Sequence, residues 1–318
     1  MNPMGMTTLV RRFAGLKVGV LGDFMADHLL QGTPTRLSRE APVIVLRHER
    51  ESYLPGGAAN CAANLISLGA EVSVFGVLGR DPAGAFLKGF FRRKGADVRG
   101  LISDPGYRTI AKTRVLAGDP HRTKQQIVRI DREPPPMPAA LAIRLASLAA
   151  RARGLDAWLL ADYGYGAVTP AALGRARARV RIGTSRYAMA RFRNAGLTAI
   201  TANEAEALEA SGLEHPLAAG RRLFKSLKPL TLLVTRGREG MICFSGNRAD
   251  ALAASGARDA VDVTGAGDTV SAVMTLALAA GAAPLEAAGL ANAAAGEVVM
   301  RPGAATLTPR ELLGALGK

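Results

Sequence analysis

Near the C-terminus, Asp262-Val263-Thr264-Gly265-Ala266-Gly267-Asp268 places a glycine-rich backbone beside a carboxylate. Gly265 and Gly267 bracket one alanine, so the chain can turn tightly with no bulky side chain over its N–H groups. An Ala-rich apolar run over 269–280 follows and is long enough for a buried helix. The turn then lies at a helix N-terminus, where unpaired N–H groups and the positive dipole end attract anions. A carboxylate at that spot repels a bound phosphate, so its presence needs a reason. Asp268 either caps the helix or acts as a base. In the second role it takes a hydroxyl proton while the N–H groups hold charge on a transferring phosphoryl group.

Other polar residues fall where strands should end. The apolar segment 17–21 runs into Gly22-Asp23, and a carboxylate there lies where open α/β sheets bind ligands; a solvated loop acid is the alternative. Pro55-Gly56-Gly57-Ala58-Ala59-Asn60 opens a helix through Leu68. Its glycines either leave an N–H-rich turn open or merely ease packing, and Asn60 can aim an amide at a polar ligand. Segments 109–116 and 125–131 alternate as strands around a polar turn at 118–124, carrying Lys112, Arg114, Gln126 and Arg129. This is either a flap over a site or a solvated edge hairpin.

The elements that must position these groups alternate. Strand-like segments at 43–47, 72–77, 157–161, 180–183, 197–201 and 230–235 interleave with helical patterns at 82–94, 141–153 and 170–179, and 241–245 adds a hairpin strand. A helix also follows Asn203-Glu204-Ala205-Glu206. The expectation is an α/β fold: a central, mostly parallel sheet with helices on both faces. The short two-stranded segments of the first half break the alternation and read as a small β-strand lid near 31–54 and 107–131. Pro134-Pro135-Pro136 marks a rigid surface link, so 1–318 is read as one domain.

Composition narrows the function classes. The chain has 318 residues, 48% of them hydrophobic and 21% charged, which suits a large folded core and excludes wholesale disorder. No run reaches the roughly 18 to 20 apolar residues of a membrane span, and residues 1–15 lack the apolar block of a secretory signal. Cys61 and Cys243 are far apart in apolar surroundings, as buried thiols of a reducing cytoplasm would be. The net charge is +15, but the cations are dispersed and aromatics are only 5%. That pattern argues against a nucleic-acid partner and suits attraction for polyanionic small molecules.

The paired motifs Gly56-Gly57-Ala58-Ala59-Asn60 and Asp262–Asp268, with Asn203-Glu204-Ala205-Glu206 between them, resemble those of the ribokinase-like (PfkB) sugar kinases from about Lys17 to Leu313. The subgroup most similar to this chain is the heptose-phosphate kinases of lipopolysaccharide-core precursor synthesis, which phosphorylate D-glycero-D-manno-heptose 7-phosphate at its anomeric hydroxyl. Segments 36–43, 112–115, 125–131 and 292–296, with Asp162-Tyr163, carry that likeness.

The resemblance implies ATP and Mg2+ as cofactors, Asp268 as base and the N–H groups of Gly265, Ala266 and Gly267 as anion hole. It implies Asp23, Gly56, Gly57 and Asn60 on the sugar hydroxyls, with Lys112, Arg114 and Arg129 on the substrate's own phosphate. Thr235, Arg236, Gly237, Asp262, Thr264 and Asn292 would lie along the nucleotide. Asn203 and Glu206 would organise the nucleotide phosphates and, through water, the metal.

A cytoplasmic, stand-alone kinase that dimerises through its lid is expected, because bifunctional relatives continue into a nucleotidyltransferase domain and this chain stops soon after Asn292. Two departures stand out: Thr184 where the subgroup has an Asp, and Arg39 where it has a proline. A kinase for another sugar or sugar phosphate, or a non-catalytic sugar- or nucleotide-binding homologue, fits the same motifs.

Overall fold

Runs of valine, leucine and isoleucine need cover on both faces, and pairing in parallel beneath two helical layers supplies it. In the computed structural model, which describes residues 3–119, 124–256 and 260–316, thirteen strands form two sheets. Residues 120–123 of the expected turn at 118–124 lie outside the described residues. In chain order the strands begin with β1 (Lys17–Gly22), β2 (Phe24–Leu37), β3 (Ile44–Gly57), β4 (Glu71–Gly79), β5 (Asp97–Asp104), β6 (Ile110–Ala117) and β7 (Gln125–Arg132). The second half adds β8 (Ala157–Asp162), β9 (Val180–Ser185), β10 (Ala199–Asn203), β11 (Thr231–Thr235), β12 (Met241–Ser245) and β13 (Arg248–Leu252).

The larger sheet runs β13-β12-β11-β10-β9-β8-β1-β4-β5. It is parallel from β11 to β5, and β12 and β13 add an antiparallel hairpin at one edge. One face is covered by the helices Ala58–Ser67, Ala266–Ala279 and Pro284–Val298. The other is covered by Ala139–Arg151, Pro170–Arg175 and Pro216–Leu227, with Trp158 fully buried among them. Because the strands are parallel, β1, β8, β9, β10 and β11 deliver their C-terminal residues to one rim. Among the described residues no helix is long and apolar enough to cross a membrane.

The smaller sheet, β3-β2-β6-β7, is the lid. Strand alternation divides its side chains. His28 stacks on Tyr53 with ring centroids 4.3 Å apart, and Tyr53 meets Phe86 of the Pro82–Arg93 helix at 5.6 Å, so this face rests on the body. The opposite face carries Asp27, Lys112 and Asp131 in one row and Leu29, Arg114 and Arg129 in the next.

The structure departs from expectation in several elements. Strand β5 and the first half of β2, which starts at Phe24 ahead of the lid segment expected from 31, appear where no strand was anticipated. The segment expected at 43–47 extends to Gly57, so Gly56 and Gly57 end a strand, paired with Met25 and Phe24, and the helix starts at Ala58. The helix expected over 170–179 stops at Arg175. The helix expected at 269–280 starts at Ala266, which moves Asp268 into its first turn.

Gly22 ends β1 just ahead of Asp23, and the backbone of β8 passes directly over it: a Cβ there would stand 2.2 Å from the Ala161 carbonyl oxygen. Gly22→Ala is therefore expected to destabilise the fold by about 1–3 kcal/mol, the usual cost of overpacking a rigid backbone contact. The urea midpoint at constant m-value measures this. An unchanged midpoint would mean that β1 and β8 can separate at no cost.

Candidate active site

The Ala266–Ala279 helix is buried from Thr269 to Ala279 and begins at the rim where the parallel strands end. Its first α-helical bond runs from the Thr269 N–H to the Gly265 carbonyl at 3.0 Å. The N–H groups ahead of Thr269 have no carbonyl one turn back, although that of Ala266 reaches the Val263 carbonyl at 3.3 Å. A side chain at Gly267 would meet nothing within 4 Å, so the space over this turn is open. Gly265 has φ 78°, and a Cβ on it would stand 2.5 Å from the Asn60 amide nitrogen. Only glycine satisfies both conditions.

Asp268 is held at both oxygens. The Tyr163 hydroxyl donates to Oδ1, and Asn60 Nδ2 donates to Oδ2 at 2.8 Å. The fully buried Cys61 thiol also lies against this carboxylate. Burial pushes the Asp268 carboxyl up to about 6, the donors Tyr163, Asn60 and Cys61 pull it down, and the charge of Asp27 adds to the rise. A carboxylate poised there is ionised at pH 7 yet basic enough to assist proton transfer.

Asp162, Tyr163, Thr184, Arg186, Asn203, Glu206, Thr235, Gly267 and Asp268 line one cleft. Asn203, Glu206, Thr235 and Gly267 were all expected beside Asp268, and the fold gathers them from two strand ends and two helix starts. Asn203 and Glu206 form a reciprocal cap: the Glu206 N–H donates to Asn203 Oδ1 at 2.8 Å, and the Asn203 N–H donates to Glu206 Oε2 at 2.9 Å. Burial raises the Glu206 carboxyl above its ordinary range.

A larger cavity of about 800 Å³ adjoins this cleft. Tyr163 is common to both, and Tyr165, Tyr187 and Arg191 line the larger one.

Several expected ligands have other partners. The buried Asp23 carboxylate accepts N–H bonds from Tyr163 (2.8 Å), Tyr165 (3.1 Å) and Ala167 (3.0 Å). It thereby pins the loop after β8, and burial pushes it up to about 6 against those donors. Asn60 is only 1% exposed and serves Asp268. Gly56 and Gly57 are hemmed in by Asp27 and Met25, whose atoms would lie 2.9 Å and 2.7 Å from an added Cβ.

On the expected nucleotide side, Asp262 accepts the N–H groups of Thr264 (2.9 Å) and Gly303 (2.8 Å) and so fixes the turn that carries Thr264. Arg236 is ion-paired with Glu239 and with Glu204, and Gly237 opens a short 3₁₀ turn. Asn292 donates to the Ala253 carbonyl at 2.7 Å, away from the Asp268 cleft. In the lid, Arg114 is ion-paired with the buried Asp27, and Arg129 with Asp131 at 2.8 Å. Lys112 has no hydrogen bond or ion pair within 4 Å among the described residues.

Sequence reasoning left out Tyr163, Arg186, Asp27 and Cys61 as site residues. Tyr163 and Arg186 each lie just past a strand's last buried residues, the position already given weight at Asp23, so the same signal applied to β8 and β9 would have found them. Asp27 was hidden in the unanticipated β2. Thr184, the position of the missing acid, does line the cleft.

A divalent cation fits this donor set only sparsely. Among the described residues no three His, Cys, Asp or Glu side chains converge, and Glu206 keeps one oxygen clear of its cap. A small cation that retains its waters and takes most of its ligands from nucleotide phosphates matches one such carboxylate.

The sequence matches the pfkB family of carbohydrate kinases over residues 17–131 and 185–311. Bifunctional protein HldE of Geobacter metallireducens is 41% identical over 312 residues, which cover 94% of this chain and 62% of that protein. Bifunctional protein HldE of Caulobacter vibrioides is 38% identical over 317 residues, covering 96% and 64%. The chain thus spans less than two thirds of the length of these relatives.

Among solved structures, ribokinase from Thermotoga maritima has the same fold with a TM-score of 0.73 at 19% identity, covering 95% of this chain and 100% of that one. Phosphofructokinase-2 from Escherichia coli, in complex with substrates and products, gives 0.77 at 16% identity over 95% and 98%. The matched residues include β1, the lid, β10, β11 and the helix that carries Asp268, and the chain belongs to the pfkB family of carbohydrate kinases.

Proposed function

We propose that the chain phosphorylates a sugar phosphate with ATP and Mg2+, its acceptor being D-glycero-D-manno-heptose 7-phosphate and its product the 1,7-bisphosphate. The observation that carries this reading is a carboxylate, Asp268, fixed by two donors inside an open helix N-terminal turn. Asp268 takes the proton of the anomeric hydroxyl, whose oxygen forms a bond to the terminal phosphorus of ATP as the bond to the bridging oxygen breaks and ADP leaves. The N–H groups of Gly265, Ala266 and Gly267 face the charge on the phosphoryl oxygens in transit. Glu206 would hold magnesium through water, and the ion would neutralise charge on the nucleotide phosphates. Heptose as the acceptor rests on the likeness of segments 36–43, 112–115 and 125–131 to the heptose-phosphate kinases.

A cytoplasmic homodimer joined through the lids belongs to the same reading. Val128 (46% exposed) and Ile130 (58%) leave apolar surface on an edge strand, a template for a second copy. Ile130→Asp should shift the protein to monomer by sedimentation equilibrium; an unchanged association state would remove the lid as the interface.

Two kinetic outcomes test the base. Asp268→Asn should lower kcat by about 10²–10⁴-fold or more with ATP binding retained, measured by coupled ADP release over a panel of sugar 7-, 6- and 1-phosphates and the free sugars. Near-normal turnover would exclude Asp268 as base. In the wild type the base must be ionised, so activity should fall tenfold per pH unit below about 6. The Tyr163 hydroxyl favours the ionised form, and Tyr163→Phe should therefore move that acid limb to higher pH. A pH–rate profile that drops in height without shifting would assign Tyr163 a packing role alone.

A further inference from the structure

We infer that the larger cavity beside the catalytic cleft seats the acceptor and that Arg191 on its wall binds the acceptor's phosphate monoester, an inference that rests on the sugar-phosphate reading and gives that substrate its place. The two spaces meet at Tyr163, which lines both and whose hydroxyl donates to Asp268. Their sizes differ by far: about 90 Å³ in the cleft and about 800 Å³ in the cavity. Small-molecule sites run from roughly 300 to 1,000 Å³, so the cavity can hold a sugar phosphate and the cleft can hold only its reacting end. In-line transfer sets the acceptor oxygen and the leaving ADP on opposite sides of the phosphorus. Asn203, Glu206 and Thr235, expected on the nucleotide side, line the cleft and not the cavity. An acceptor lodged in the cavity approaches Asp268 past Tyr163, away from those residues.

The walls suit a polyol. The Tyr165 hydroxyl donates to Glu133 Oε1 at 3.0 Å, which ties the residue after β7 to the loop after β8. The Tyr165 oxygen can still accept a hydrogen bond, and the second Glu133 oxygen is open to a sugar hydroxyl. Tyr187, 63% exposed, offers its ring from the loop after β9. Pro134, Pro135 and Pro136 close another side with rigid backbone that has no N–H to satisfy.

Arg191 supplies the cation. Its Nη1 lies 3.4 Å from both oxygens of Asp162, whose side chain is fully buried, while the Arg191 side chain is 39% exposed. Asp162 also accepts the Gly164 N–H at 3.0 Å and the Ser185 hydroxyl at 3.1 Å. The buried acid therefore orients the guanidinium through one nitrogen, and Nε and Nη2 have no hydrogen-bond partner among the described residues. A phosphate monoester takes such a free guanidinium edge through two charge-assisted hydrogen bonds. Because Asp162 precedes Tyr163 in the chain, one short segment holds the cation for the phosphate end and the donor that fixes the base at the reacting end. A free sugar leaves the guanidinium edge without its anion, so the seat favours phosphorylated acceptors.

The test is steady-state kinetics of Arg191→Met, Arg191→Lys and Ala142→Trp with the best sugar phosphate of the panel. Ala142 lines the cavity but not the cleft, so tryptophan there fills the seat without touching the base. Arg191→Met should raise KM for the phosphorylated acceptor roughly 10- to 100-fold, with KM for ATP within about twofold. Arg191→Lys should recover part of that loss, since it keeps the charge and loses the fork. Ala142→Trp should raise the acceptor KM by a comparable factor. An unchanged acceptor KM in Ala142→Trp, with the urea midpoint of the wild type, overturns the seat, as does a rise in KM for ATP in place of the acceptor.

Calorimetric titration of the full chain with D-mannose 6-phosphate, without ATP, separates this seat from the reading it rests on. If no sugar phosphate of the panel is turned over, the kinase reading fails. Binding of the probe that weakens in both Arg191→Met and Ala142→Trp still supports the seat. No binding, or binding that neither substitution alters, overturns it even if heptose 7-phosphate proves to be the acceptor.

Discussion

A carboxylate taken out of water at the start of a buried helix has to be hydrogen-bonded, and the hydrogen bonds to Asp268 organise the catalytic half of this molecule. Two of its donors come from separate elements of the fold. Asn60 lies on the Ala58–Ser67 helix, which packs against the Asp268 helix in the same core layer. Tyr163 sits on the loop after β8. That loop would be irregular backbone at a buried rim, with N–H groups to satisfy, and Asp23 satisfies three of them. One buried acid at the end of β1 thus shapes the loop that holds a second at the end of the cleft. Neither acid can lose its donors without leaving charge unpaired in a poorly solvated place.

The lid shows the opposite use of charge. Most of its inner-face ions are matched within the lid itself, Arg114 with Asp27 and Arg129 with Asp131. Asp27 also lies close enough to raise the Asp268 carboxyl, so the Arg114–Asp27 pair moderates the field at the base. Removing Arg114 would do more than delete a cation: it would release a buried carboxylate toward Asp268. The lid arginines are counter-ions to Asp27 and Asp131 here, in a place where the sequence resemblance makes them ligands.

How much was readable follows from how local each feature is. The parallel strands of the main sheet other than β5 were legible because each is a short apolar run ending in polar residues, and the Asp262–Asp268 turn was legible because its whole chemistry is contiguous. Strand β2 was not. Phe24 to Ala26 are buried, then exposure rises past Gly32 and Pro34 through two register shifts, so no alternation marks it; only pairing with β3 and β6 makes it a strand. Asp27 was lost with it. Asp23 was noticed but its partners were not, because they lie 140 to 144 residues away and are backbone groups that no side-chain pattern announces. Tyr163 is 105 residues from Asp268, and only the meeting of β8 with the buried helix reveals their contact.

Two helices of the same molecule bear on the choice between capping and catalysis at Asp268. Glu206 and Asp268 both occupy the third position of a helix at the same rim. Glu206 turns back to its own N-cap and accepts the Asn203 N–H, completing a capping box. Asp268 has a glycine at its N-cap and no side-chain capping bond. Its oxygens face outward from the helix, toward Tyr163 and Asn60, two donors that do nothing for the helix end. A cap would stabilise the first turn by occupying its N–H groups. Here no side chain occupies those groups, beneath open space over Gly267, while burial that a cap does not need raises the carboxyl toward the range of a working base. The helix forgoes the cheaper arrangement that its own neighbour adopts, and the arrangement it keeps is the one that proton abstraction next to a phosphoryl group requires.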